Sequence, residues 1–132
     1  MTDITITHAN VRPLVGAIIR RGTAGGTIEA GQPVYLDGSN GWKRGAAGAA
    51  NTANIRGIMI APENASSGDE IDIVLFGPVT GYSDLTLDAF IYVSDTTGEM
   101  ITNTSPTYDK IVGWGESDQV IFVSCTPDGD AS

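Results

Sequence analysis

The sequence predicts an all-β fold: a compact β-barrel, or a sandwich, built from two similar hairpin-containing halves and preceded by an extended N-terminal arm. Three observations predict it. First, the chain repeats itself. Val34-Tyr35-Leu36-Asp37, Gly41-Trp42-Lys43, Ile55-Arg56-Gly57-Ile58-Met59 and Ile71-Asp72-Ile73-Val74-Leu75 return in order as Ile91-Tyr92-Val93-Ser94-Asp95, Gly98-Glu99-Met100, Ile111-Val112-Gly113-Trp114-Gly115 and Val120-Ile121-Phe122-Val123. Val34 and Ile91, like Gly41 and Gly98, stand 57 positions apart, and Gly57 and Gly113 stand 56 apart. A fixed period of strand-like units marks one β-unit used twice in a single core. Second, 17 glycines and 6 prolines are spread along the 132 residues. Gly supplies positive φ and Pro fixes φ, so the chain reads as many short strands joined by turns. Third, this length with 41% hydrophobic residues suits one domain with a modest core.

Residues 1–13 read as the arm. Thr2 to Thr7 alternates Thr or Asp with Ile, and His8 to Pro13 separates it from the barrel, Pro13 removing a backbone donor. Two fates are open to such a segment: ordering by a partner, or pairing with an edge of its own barrel. The barrel domain spans 14–126. Its first strand is Leu14 to Arg21, ending in a mobile loop at Gly22-Thr23-Ala24-Gly25-Gly26. Glu29 to Pro33 turns the chain into Val34-Tyr35-Leu36. Asp37-Gly38 and Asn40-Gly41 are turn dipeptides, with Trp42-Lys43-Arg44 as the returning strand, which makes a hairpin. Gly45 to Asn54 is a low-complexity Ala/Gly/Asn loop.

Strands resume at Ile55 to Ala61 and, after a polar connection from Pro62 to Asp69, at Glu70 to Phe76, where Ile71, Ile73 and Leu75 share a face by period two. Gly77-Pro78 bends this strand before Val79 to Tyr82 continue it, and Pro78 is expected at a bulge or edge. The second half repeats the plan. Phe90 to Val93 and Glu99 to Thr102 flank a turn, and Asn103 to Thr107 is a polar loop. Lys110 to Glu116 and Gln119 to Ser124 form a hairpin joined by Ser117-Asp118. Residues 127–132 read as a flexible, acidic tail.

Charge and chemistry narrow the function. Seven Lys plus Arg against sixteen Asp plus Glu give a net charge of −9, which repels a polyphosphate backbone, so no nucleic-acid partner is expected. No apolar run approaches the roughly 20 residues of a bilayer span, and Met1 to Thr7 lacks the regions of a signal peptide, so no membrane is expected either. The single cysteine, Cys125, cannot form an internal disulfide, and its strand position predicts a small buried hydrophobe. With His8 the only histidine, neither a catalytic triad nor a multi-histidine metal centre has its raw material. Asp69, Glu70 and Asp72, and likewise Asp84 and Asp88, read as solvated turn acids; none has calcium-loop spacing. The glycine-rich stretches lack the ending of a phosphate loop. The expectation is a protein that is not an enzyme and carries no cofactor or metal.

With the repeated hairpins in view, the chain resembles the small capsid-decoration, or cement, proteins of tailed bacteriophages. The likeness is carried by Ala30-Gly31-Gln32-Pro33-Val34-Tyr35-Leu36-Asp37, by Ile55 to Ala61, by Ile71 to Gly81, by Phe90 to Glu99 and by Lys110-Ile111-Val112-Gly113, and it covers about residues 14–125. It implies a virion structural protein, made in the host cytoplasm and placed on the outer capsid surface. It further implies a homo-oligomer, a trimer, whose partner is the major capsid protein and which bridges neighbouring capsid subunits to stabilise the shell. On this reading the arm makes capsid contact, Ile4 and Ile6 adding a strand to a capsid sheet edge, with His8 beside them and Arg12, Arg20 and Arg21 facing capsid acids. The rival expectation is a receptor- or glycan-binding module of a head or tail fibre, with Trp42, Tyr82 and Trp114 as stacking platforms.

Overall fold

The computed structural model describes residues 4–38, 41–49, 52–101 and 110–125; the expectations for Met1 to Asp3, the 103–107 loop and the 127–132 tail lie outside them. The fold is all-β. The chain runs through β1 (Thr5–Ile6), a 3-10 turn (His8–Asn10), β2 (Arg12–Pro13), β3 (Ile18–Thr23), β4 (Ile28–Glu29), β5 (Pro33–Leu36) and β6 (Trp42–Arg44). It continues through β7 (Gly57–Ala61), β8 (Asn64–Ala65), β9 (Glu70–Thr80), β10 (Tyr82–Ser83), β11 (Phe90–Val93), β12 (Met100–Ile101), β13 (Ile111–Gly115) and β14 (Val120–Ser124).

One curled, half-barrel sheet carries the order β12-β11-β13-β14-β9-β7-β5-β6, every neighbouring pair antiparallel. That order reads the same from both ends. β6-β5-β7-β9 and β12-β11-β13-β14 are the two sequence repeats folded with the same order of pairing, joined where β9 meets β14. The repeated glycines have the same role in each. A Cβ on Gly57 would strike the Val74 carbonyl of β9, and a Cβ on Gly113 the Phe122 carbonyl of β14. At both positions a neighbouring backbone approaches too closely for any side chain.

The end strands are bridged by loops instead of a ladder. Gly98 N–H donates to Gly45 O at 2.8 Å, Ala47 N–H to Ser94 O at 2.7 Å and Ile4 N–H to Met100 O at 2.9 Å. The Ala/Gly loop therefore has a packing role: Ala47, Ala53 and Ile55 are fully buried within the core. Ile, Val, Met and Ala dominate that core, with Ile58, Met59, Ile73, Ile91, Val112 and Ile121 all inaccessible. Burying β-branched side chains from both halves against one another supplies the main stabilisation.

Several expectations need correction. The first barrel strand begins later and runs farther: Leu14 to Ala17 is a turn, and Gly22-Thr23 belongs to β3 instead of a mobile loop. The reason lies at Gly22, where a Cβ would come within 2.5 Å of Trp42 Nε1, so the residue makes room for an indole. Pro78 sits inside the 11-residue strand β9, not at an edge, with β14 on one side and β2 and β3 on the other. Its carbonyl accepts from Leu14 N–H at 3.0 Å, and in an antiparallel strand a residue's N and C=O face the same neighbour. The missing N–H thus points at the break between β2 and β3, where the ladder has no acceptor to satisfy. The β13–β14 hairpin is joined by the four residues 116–119, closed by Glu116 N–H to Val120 O at 2.9 Å, instead of by two.

Candidate interaction surface

Residues 4–13, the part of the arm that the structure describes, fold back on the barrel. Thr5 and Ile6 pair with Ser83 and Tyr82, and Thr7 N–H donates to Gly81 O at 2.8 Å. His8 Nδ1 donates to Ala30 O at 2.7 Å, and Arg12 and Pro13 pair with Thr80 and Val79. Ile4 and Val11 are buried. Of the two fates open to this segment, the chain adopts pairing with its own edges, and Ile4 N–H is taken by Met100 O at 2.9 Å. The physical cause is apolar: Ile4 and Val11 gain more from the barrel's own core than from water. Arg21 is also engaged, its Nη1 and Nε lying 3.2 Å from Glu70 and 3.2 Å from Asp72. Arg12 and Arg20 are exposed.

The three-ring platform is not formed. Trp42 and Tyr82 are buried, and the Tyr82 hydroxyl is spent on Gly31 O at 2.9 Å, with burial pushing its pKa far up. Only Trp114 remains partly exposed, and one face of its indole is covered by the Phe122 ring at 5.1 Å. A sugar needs an open ring face for stacking, so Trp42 and Tyr82 are excluded as contacts.

What the strands build instead is an aromatic row that the sequence reading does not anticipate. Phe90 pairs with Trp114, Trp114 with Phe122, and Phe122 with Pro78, across β11, β13, β14 and β9. Residues directly opposite one another on neighbouring strands project from the same face of a sheet. Phe76, two residues before Pro78, shares that face and meets Phe122 edge-on at 5.1 Å, and Ile18 of β3 lies opposite Phe76. The row thus crosses five strands, roughly 19 Å at about 4.8 Å per strand. Phe76, Phe90 and Ile18 are 45%, 55% and 57% exposed. The chain has 3 phenylalanines, and all of them stand here; none is in the core.

The immediate neighbours on this face are Tyr92, Val120, Ser124 and Thr80, with Arg12 opposite Thr80. An uncharged aromatic centre with a hydroxyl-rich rim, on a chain of net charge −9, has the anatomy of a protein-binding patch. Its residues sit on strands and brace one another through ring contacts, so little side-chain freedom remains to be lost on docking.

Cys125 has no part in this surface. Its Sγ lies 3.5 Å from Val112 O, and burial pushes the thiol from 9.0 up to about 11, with Lys110 and Arg56 pulling the other way more weakly. A two-unit rise cuts the thiolate fraction at pH 8 about a hundredfold, so native protein is expected to react with a thiol reagent about 100 times more slowly than urea-unfolded protein. Folded protein holds this proton more tightly than unfolded protein. The thiol's contribution to stability is therefore intact below pH 9 and declines as pH rises from 9 to about 11. Equal rates for native and unfolded chains contradict the assignment. Among the described residues no cluster of three or more His, Cys, Asp or Glu is placed to hold a metal, and no helix is long and apolar enough to cross a membrane.

No protein-family model matches the sequence, and neither does any curated protein.

Proposed function

We propose that this chain is a structural protein of a tailed-bacteriophage virion: a decoration protein that seats on the outer surface of the assembled head and stabilises the shell by bridging major-capsid subunits. The observation that supports it best is the aromatic row Phe90-Trp114-Phe122-Phe76 on the face of a rigid sheet, a surface suited to holding a large protein partner and to no chemical step. The resemblance of residues 14–125 to decoration proteins supplies the identity of that partner. The row is the docking surface in this reading, with Arg12 at its rim as the cation that meets a capsid acid. Function then arises by mass action. A ligand that binds only the assembled lattice stabilises it by its binding free energy, multiplied over the many copies of a shell. The protein works as a homo-oligomer, a trimer, and acts without a cofactor.

Mixing purified protein with mature heads, emptied heads and isolated tails, then sedimenting, tests this. Binding to both kinds of head and not to tails is the expected result. Binding to tails alone, or to neither, overturns it. Deletion of residues 2–12 does not serve as the test, because it removes the buried Ile4 and Val11 and disturbs the barrel itself.

A further inference from the structure

Away from the aromatic row, two features of the surface are complementary to each other. The first is a cavity of about 310 Å³ lined by Arg20, Leu36, Trp42, Arg56 and Leu75. Its walls are apolar, with Leu36 51% exposed, and two guanidinium groups stand at its margin. Arg20 has no ion-pair partner among the described residues. Trp42 is more than nine-tenths buried, but its indole N–H is not among the buried polar atoms that lack a partner. That N–H edge lies against Gly22, which projects on the same side of β3 as Arg20 two residues earlier. A cation at the margin of an apolar floor fits a carboxylate carried next to an aliphatic side chain.

The second feature is the loop Asp84-Leu85-Thr86-Leu87-Asp88. Leu85 is buried and anchors it, while Leu87 is 64% exposed at its crest. Leu85 N–H donates to Asp118 O at 3.1 Å, Asp88 N–H to Gly115 O at 2.8 Å and Ala89 N–H to Thr86 O at 3.2 Å, so the loop is pinned to the β13–β14 hairpin. Asp84 and Asp88 both hold φ of 65°, a left-handed conformation that fixes them on either side of Leu87. Neither carboxylate has a cationic partner among the described residues. The result is a rigid apolar knob between two uncompensated negative charges.

We propose that the knob of one copy of this chain enters the arginine-flanked cavity of a second, with Leu87 against Leu36 and Leu75, and with Asp84 and Asp88 at the margin beside Arg20. The cavity belongs to the β5–β6 end of the sheet and the knob to the β13–β14 half, so they are different patches. Contacts of this kind are head-to-tail and propagate to a closed ring or an open chain according to the rotation each one imposes. The inference concerns the chain's contact with itself and holds whether or not it binds a phage head.

Sedimentation of the full-length protein over a concentration series tests it, with far-UV circular dichroism verifying that each variant folds. The wild type is expected to self-associate and to dissociate as salt is raised. Arg20→Glu and Leu87→Asp, both at exposed positions, are each expected to weaken association at least about tenfold, the loss seen when a central contact is removed. The decisive sample is their mixture. Arg20→Glu keeps an intact knob and Leu87→Asp an intact cavity, so together they are expected to form a 1:1 pair and nothing larger. A wild type that stays monomeric at the highest attainable concentration overturns the proposal, as does association that neither substitution weakens, or a mixture that forms no pair. Capture of a separate acidic peptide by a monomeric wild type also overturns it and assigns the cavity to another protein.

Discussion

Gly113→Ala is expected to destabilise the fold by about 3 kcal/mol or more, and Gly57→Ala by a similar amount, as read from urea unfolding midpoints. The reason is the same in both halves. The hydrogen of each glycine points at a carbonyl oxygen of the next strand, Phe122 for Gly113 and Val74 for Gly57, and a methyl group placed there overlaps backbone. A flexible side chain can swing away from an intruding methyl, but a carbonyl held in a ladder moves only if the strand moves. In these halves the strands are β14 and β9, which pair with each other at the centre of the sheet. Displacing either disturbs the seam between the repeats. Gly26→Ala is the control: nothing lies within 4 Å of its added Cβ, and a change within about 0.5 kcal/mol is expected. If Gly57→Ala and Gly113→Ala are as mild as the control, the shared packing role is wrong.

Those two glycines also show why the architecture could be read from the sequence. A repeat is a statement about equivalent environments. Once Gly57 and Gly113 occupy the same place in two strand patterns, equivalent pairing of β5, β6, β7 and β9 with β11, β12, β13 and β14 is implied without coordinates. Hairpins are equally legible because their signals are local: Asp37 and Gly41 close the first, with Asp37 N–H to Gly41 O at 2.9 Å and Lys43 Nζ to Asp37 at 2.9 Å. The arm is not legible to the same degree. Its destination depends on Ser83, Thr80 and Ala30, residues remote in sequence, and nothing local distinguishes a strand that pairs with its own barrel from one that pairs with a partner.

The interaction surface is hidden in the sequence for a related reason. Phe76, Phe90 and Phe122 each read as part of an apolar strand, and an apolar strand is equally consistent with burial on one face or on both. The informative pattern is across strands. Phe90, Trp114, Phe122 and Pro78 become one row only when β11, β13, β14 and β9 are set in register. A signal is present nonetheless: in Val120-Ile121-Phe122-Val123 both phases of the alternation are apolar, and only Ile121 and Val123 are needed by the core. Trp42 and Tyr82 mislead in the opposite direction. Tryptophan and tyrosine near turns suggest exposure, but Gly22 beside one indole and the Gly31 carbonyl beside the other residue's hydroxyl let both rings pack inward.

Replacing Phe76 and Phe90 together with Glu is expected to reduce binding to phage heads about 100-fold or more while leaving the fold intact. Each ring is close to half exposed in the isolated chain, and neither belongs to the buried core, so the barrel loses little by the change. At a docked interface the balance reverses. The substitutions remove two aromatic contacts and place two carboxylates where the partner would exclude water, and central aromatic residues commonly carry about 2 kcal/mol or more each. Two such losses correspond to between two and three powers of ten in affinity. Co-sedimentation with heads measures the binding, and thermal unfolding measures the fold. Ser67→Glu, an exposed change in the connection between β8 and β9, adds a negative charge away from the row and is expected to leave binding unchanged. Because the row itself is uncharged, wild-type binding through it is also expected to survive high salt, unlike the self-association through Arg20 and Asp88. Undiminished head binding by the Phe76/Phe90 variant would move the docking surface elsewhere on the barrel. Loss of binding accompanied by an unfolded spectrum would instead show that the two rings hold the sheet together.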